Sequence, residues 1–246
     1  MIRTTAVALL LIIALALTAC GNGAADPGPV TLAYEFEGGS DGWASDFSDF
    51  SDQTPPEDPV SETGIAPPGL EDEGTDFFHL AATNRSDDLF SYIFVRIPPE
   101  EGLLPNKPYT VDFTVRFASD APSGCFGVGG APGESVWMKV GASAEKPVPV
   151  SEGGETRMNV DKGNQSSGGA DADVAGVIAN GIPCEEALEM DPPPYALVTL
   201  QKQLTGAVTT DSEGALYLFV GIDSGFESRT SIFYDRIEVT LTPAVN

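Results

Sequence analysis

Basic residues are what this chain is shortest of: 12 Lys and Arg stand against 37 Asp and Glu, a formal charge of −25. So acidic a surface repels nucleic acid and anionic headgroups, and no nucleic-acid partner is expected. Lysine occurs only five times and the acids are spread over the whole length, which reads first as surface solvation and second as cation binding. Histidine occurs once, at His79, and no two of the three cysteines lie close together. A zinc site built from nitrogen and sulfur ligands therefore has too few donors. Tryptophan is limited to Trp43 and Trp137, which leaves few planar rings for stacking on a sugar. Apolar residues almost never repeat at helical spacing over a dozen residues, so an all-α architecture is excluded. After the first twenty residues no apolar run reaches membrane-spanning length.

What the chain does have begins at its start. Arg3 precedes an apolar run from Ala6 to Leu17 and the tetrad Leu17-Thr18-Ala19-Cys20. A run that short does not span a bilayer stably, and small residues before the cysteine suit a signal peptidase. The layout resembles a bacterial lipoprotein export signal. The resemblance implies removal of residues 1–19, diacylation of Cys20 and attachment to the cell envelope through acyl chains. Gly21 is not Asp, so in a diderm host the same resemblance implies the outer membrane. Residues 20–29 are small, polar or helix-breaking, and as a random coil they reach about 18 Å. The remainder, 30–246, suits one large all-β domain.

With Cys20 lipidated, Cys125 and Cys184 remain as an even pair in an oxidising compartment, where a disulfide is the default. Closing a loop of roughly 60 residues is worth about 4 kcal/mol in the chain-entropy account.

Turn formers (27 Gly, 20 Pro) separate short runs of β-branched and aromatic residues, the pattern of an antiparallel β-sandwich. Strands are expected over 30–37, 77–83, 89–97, 109–118, 135–141, 195–204, 215–222 and 231–241. The clearest is Tyr109 to Phe117, in which every second residue is apolar. Two long irregular excursions interrupt the pattern. The first, Asp41 to Asp76, carries eleven acids and no Lys or Arg; the second, Val150 to Pro194, contains a brief ordered piece at 172–180 and ends on Pro192-Pro193-Pro194. Loops this long are functional or disordered.

Three stretches carry a family resemblance: Phe36-Glu-Gly-Gly-Ser-Asp-Gly-Trp43, Gly102 to Phe113, and Phe233-Tyr-Asp-Arg-Ile-Glu-Val239. They resemble jelly-roll modules of the galactose-binding-like and carbohydrate-binding type. The resemblance implies a jelly roll with its first and last strands side by side. It further implies a structural calcium between Glu37 and Asp235, as carboxylates and turn carbonyls supply the oxygens such an ion needs. The stretch Arg157 to Ser166 is also similar to one in exported bacterial proteins of unassigned function.

The densest set of hydrogen-bonding side chains is Arg157, Asn159, Asp161, Lys162, Asn164 and Gln165, which makes this loop the first candidate ligand site. The competing reading is a turn that satisfies its own backbone. Trp43 and Trp137 read as core, so a sugar face would draw on loop aromatics such as Phe47, Phe50 or Tyr195. No catalytic residue is assigned: Lys162 beside Ser166 or Ser167 is a weak base and nucleophile pair, and His79 lies in a strand and reads as structural. The sequence thus points to an envelope lipoprotein with a non-catalytic, carbohydrate-directed β-sandwich. Two alternatives stand beside it: a glycan-directed hydrolase using loop carboxylates, and a structural envelope protein.

Overall fold

A computed structural model describes residues 28–74 and 76–245. The export segment, Cys20 and most of the tether lie outside the described residues. Among those described, no helix is long and apolar enough to cross a membrane. In chain order the strands are β1 (Val30–Tyr34), β2 (Ala44–Ser48), β3 (Phe50–Ser51), β4 (Glu57–Thr63), β5 (Phe78–Thr83), β6 (Leu89–Ile97), β7 (Pro108–Ser119) and β8 (Val136–Ser143). They continue as β9 (Pro149–Glu152), β10 (Glu155–Met158), β11 (Ala172–Val177), β12 (Ala196–Gln203), β13 (Val208–Thr209), β14 (Leu216–Ser224) and β15 (Arg229–Pro243).

The strands form an antiparallel β-sandwich. One sheet has seven strands, ordered β12-β7-β15-β5-β4 with β1 also on β15 and β13 on β7; the other has five, ordered β11-β8-β14-β6-β2. A small third sheet, β3-β10-β9, lies outside them. The eight strands expected from the sequence are present within a few residues, and β1 pairs with β15, which puts the two ends of the fold side by side.

Alternation explains the core. In β7 the residues Tyr109, Val111, Phe113, Val115 and Phe117 are buried while those between them are half-buried. They meet Ile93, Val95 and Ile97 of β6, Val136, Met138 and Val140 of β8, and Leu218, Val220 and Ile222 of β14 in one continuous cluster. In β15 the inward parity changes once. Ile232 and Tyr234 face in, a register shift falls between Tyr234 and Arg236, and Ile237, Val239 and Leu241 face in thereafter. Asp235 and Arg236 sit at that irregularity. Trp43 lies in the core as expected, but Trp137 does not: it is half-buried and alternates with the core residues Val136 and Met138, so it is on the outer face.

Each excursion lends short strands to the sheets. The first gives β2 to the edge of the five-stranded sheet and β4 to the edge of the seven-stranded one; the second gives β11. The two excursions meet where β3 pairs with β10. Cys125 and Cys184 are joined by a disulfide, their Cα atoms 5.1 Å apart.

Candidate functional site

Polar groups gather on the outer faces of both sheets, in two different ways. On the seven-stranded sheet the register places them. Since Ile232 and Tyr234 of β15 face the core, Ser231 and Phe233 face outward. His79 of β5 pairs with Phe233 across one ladder and with Glu62 of β4 across the next. Ser231 pairs with Ala81 and so stands diagonal to His79, within reach of the long imidazole side chain.

The result is a hydrogen-bonded line, Glu62–His79–Ser231. Nδ1 of His79 lies 3.1 Å from Oε1 of Glu62, and Nε2 lies 3.0 Å from Oγ of Ser231. A carboxylate only accepts, so Nδ1 carries the proton and Nε2 is the acceptor for the Ser231 hydroxyl. The Tyr195 hydroxyl donates to the same Oγ at 2.9 Å. The imidazole lies flat on the Phe233 ring, centroids 3.9 Å apart and planes 2° from parallel, and Tyr195 meets that ring edge-on at 5.1 Å. These contacts fix the imidazole plane.

The electrostatics keep this line neutral at its centre. Burial lowers the His79 pKa, Glu62 opposes that, and Arg229 adds to it. The Tyr195 hydroxyl is pushed up to about 12 by burial and then by the nearby Asp120 carboxyl, whose own pKa burial raises. Above them opens a hollow of about 360 Å³. Ile65, Ala66 and Pro68 of the first excursion form an apolar wall; His79, Ser231, Tyr195, Asp120 and Arg229 line the rest. Tyr195 enters directly after the triple proline that ends the second excursion.

On the five-stranded sheet the polar groups are sealed. Lys139 of β8 and Asp223 of β14 are fully buried, and Lys162 is 4% exposed. Lys162 Nζ lies 2.7 Å from Asp49 Oδ2 and 2.8 Å from Asp223 Oδ2; Lys139 Nζ lies 3.2 Å from Asp223 Oδ2. The backbone closes around them. Lys139 Nζ donates to the carbonyls of Lys162 at 2.8 Å and Ser167 at 2.7 Å, and the Gln165 amide donates to Asp223 at 2.7 Å. Phe90, Tyr92 and Phe219 cover the same face with Val160, and the Lys162 ammonium sits over the Phe90 ring. Gly141 and Gly221 belong here because a Cβ at either would run into the Phe219 or Phe90 ring.

Burial works against the charge of Lys162, but Asp223 and Asp49 outweigh it and raise the pKa. Asp88, salt-bridged to Arg157 at 3.0 Å, is raised to about 7, by burial first and then by the charges of Asp223 and Asp49. Carboxylate oxygens of Asp49, Asp88 and Asp223 come within 4.8 Å of one another. The Lys162 ammonium already bridges two of them, so a protein cation holds the position a metal ion would take.

The loop that the sequence offered as a ligand site is thereby brought together but turned to other uses. Lys162 points into the sheet. Arg157 pairs with Asp88 and Glu155, and the Asn159 side chain donates to Glu145 and the Lys146 carbonyl and accepts from the Val148 amide. Asp161 accepts from the amides of Gly163 and Ala170, the carbonyl of the exposed Asn164 accepts from Ser167, and Gln165 donates to the Asp87 carbonyl. An open hollow of about 300 Å³ remains beside Asp49, Asn159 and Asp161.

Glu37 and Asp235 also share one hollow, of about 250 Å³, with Glu35, Glu73, Asp76, Arg116 and Arg236. Arg116 is 2.8 Å from Asp235 and 3.0 Å from Glu73, and Arg236 pairs with Glu35 and Glu238. Five carboxylates surround two guanidiniums, so an oxygen-rich donor set exists, but calcium there must compete with Arg116 for Asp235.

Nothing in the sequence singles out Glu62, Ser231, Asp120 or Arg229 as a group, and His79 reads there as a framework residue. The signal available was outward polar residues alternating with core residues in β5 and β15; what joins them is register, which only pairing reveals.

No family model matches the chain, and no curated protein matches it. Its fold is similar to those of solved β-sandwich domains at low identity. The CBM22-1 xylan-binding domain of Paenibacillus barcinonensis Xyn10C aligns at 10% identity and a TM-score of 0.37, over 87% of this chain and 95% of that one. The K3 cleaved adhesin domain of Lys-gingipain from Porphyromonas gingivalis aligns at 12% identity and a TM-score of 0.38, over 87% of this chain and 98% of that one. The mannan-recognising carbohydrate-binding module TmCBM27 aligns at 10% identity and a TM-score of 0.37, over 89% of this chain and 100% of that one. At these levels the likeness concerns the β-sandwich fold alone.

Proposed function

We propose that this protein is an envelope lipoprotein, anchored through Cys20, whose sandwich binds a carbohydrate in the hollow on the outer face of the seven-stranded sheet. The observation that carries the reading is the mixed lining of that hollow. A carboxyl (Asp120), a guanidinium (Arg229) and two hydroxyls (Ser231, Tyr195) face an apolar wall of Ile65, Ala66 and Pro68. A sugar presents the same mixture, with hydroxyls at its edge and C–H groups on its faces, and small-molecule sites are built of apolar surface with a few placed polar groups. The volume of about 360 Å³ suits one or two sugar rings.

Calorimetric titration of mono- and oligosaccharides tests the binding half. Arg229→Ala and Tyr195→Ala should each weaken a saccharide that binds by tenfold or more, and Asn164→Ala in the other loop should not. If Asn164→Ala weakens it instead, the ligand sits by the second excursion. Cell fractionation of Cys20→Ser tests the anchor: a variant as firmly membrane-bound as wild type rejects it.

A further inference from the structure

We propose that Ser231 is a nucleophile, activated by His79 and oriented through Glu62, and that the hollow hydrolyses short acyl esters. Three observations carry this beyond binding. The line Glu62–His79–Ser231 has the distances of an activated hydroxyl, 3.1 and 3.0 Å, with a tautomer that leaves Nε2 free to accept the hydroxyl proton. The imidazole is clamped on Phe233, and both His79 and Ser231, although only 9% and 7% exposed, line the hollow, so a bound ester has a surface from which to reach Oγ. Finally, the Tyr195 hydroxyl points at Oγ from a second side at 2.9 Å, where it can shift to the ester oxygen as charge builds there.

The chemistry closes with water as the only co-reactant. Ser231 Oγ bonds to the ester carbonyl carbon as its proton moves to His79 Nε2. The bond from that carbon to the alcohol oxygen breaks, and the alcohol leaves with the proton from Nε2. Water then gives a proton to Nε2 and adds to the carbonyl carbon; the bond to Oγ breaks, the proton returns to Oγ, and a carboxylic acid departs. Ser231 and His79 are the catalytic residues, and Glu62 is a positioning residue that acts through His79. The apolar wall of Ile65, Ala66 and Pro68 fits a short acyl chain. That the alcohol half is a sugar hydroxyl rests on the binding proposed above; the activation of Ser231 does not.

The test treats the full chain with a fluorophosphonate and maps the adduct by mass spectrometry, with turnover of p-nitrophenyl acetate alongside. Expected is one adduct, on Ser231, and none in Ser231→Ala. His79→Asn should label at least about a hundredfold more slowly, since a positioned base contributes 10²–10⁴-fold. The wild-type labelling rate should fall on acidification with a midpoint below the ordinary histidine value, because burial and Arg229 outweigh Glu62 at the imidazole, with Asp120 and Tyr195 the other titrating groups of the hollow. In Glu62→Gln the midpoint should drop further and the rate fall, whereas a merely structural Glu62 would leave the midpoint in place. The adduct map uses wild type, so it stands even if a variant fails to fold. No adduct on Ser231 overturns the proposal, as does ester turnover by a folded Ser231→Ala at the wild-type rate. A saccharide that binds without protecting Ser231 removes only the sugar half, and labelling in the absence of any saccharide binding does the same.

Discussion

The two outer faces carry networks of similar composition, charged groups joined through hydroxyls or amides, and differ in what covers them. Over the five-stranded sheet the second excursion folds down, puts Lys162 between Asp49 and Asp223, and closes its carbonyls on Lys139. Over the seven-stranded sheet the first excursion stands aside as a wall and leaves Ser231 and Tyr195 lining a hollow. The buried cluster of lysines and aspartates is thus a fastening, and the network of one histidine and two hydroxyls, itself largely buried, lines a hollow open to solvent. Charge density alone is a poor guide to a site; coverage decides.

The largest effect that could break this comparison is on stability. Asp223→Ala leaves the buried Lys139 ammonium without its carboxylate and Lys162 with Asp49 alone, and should cost about 3–5 kcal/mol. Ser231→Ala and Glu62→Gln, beside a hollow and with the Glu62 side chain half exposed, should each cost about 1 kcal/mol or less. Urea unfolding measures all three. Equal losses would mean that the two networks are equally structural and that the hollow has no claim to be the working face.

A subtler difference lies in pH. The folded pKa of Asp88 is raised to about 7 from an ordinary 3.8, so the fold prefers it protonated. Its contribution is present below the unfolded value and is lost as pH rises from about 4 to about 7. The folded pKa of His79 is lowered from 6.5, so its contribution is present above that value and lost as pH falls through the folded one. Asp88→Asn should therefore flatten the decline of stability on the way up from pH 4. His79→Gln should instead remove a decline on the way down from pH 6.5. Stability curves of the two variants that change slope in the same direction would sharpen the question of which network titrates first, and against this assignment.

How far the sequence foretold this molecule follows from the same contrast. Strands were legible wherever one face is wet, as in Tyr109 to Phe117, because alternation marks the buried side. Trp137 shares the outer face of β8 with Lys139, and one lysine in an otherwise apolar run is a weak mark of parity, so a large aromatic beside it reads as core. Lys162 lies among Gly, Asn and Ser, which reads as solvated loop; its partners Asp49 and Asp223 lie in other segments, and only folding brings them beneath it. Ser231 and Glu62 carry only the weak local signal of a polar residue on the outward face of a strand. Each is an ordinary outward residue of a strand, and what unites them is the pairing of β4, β5 and β15.

The smallest expected effect concerns the rim shared by Glu37 and Asp235, an acidic hollow that is neither sealed nor part of the open network. Burial pushes the Asp235 pKa up and Arg116 draws it back, so that carboxylate already has a cationic partner. Calcium binding there gains by RT ln(1 + [L]/Kd) only after displacing the guanidinium. At millimolar calcium the gain should stay below about 1 kcal/mol, or roughly 2–4 °C in melting temperature for a chain of this size. Screening of a chain at −25 raises stability with any salt, so the comparison is calcium against magnesium at equal ionic strength. The difference should be small in wild type, larger in Arg116→Gln, where the competitor is gone, and absent in Asp235→Asn. If Arg116→Gln responds no more to calcium than to magnesium, the hollow holds its own arginine and no ion.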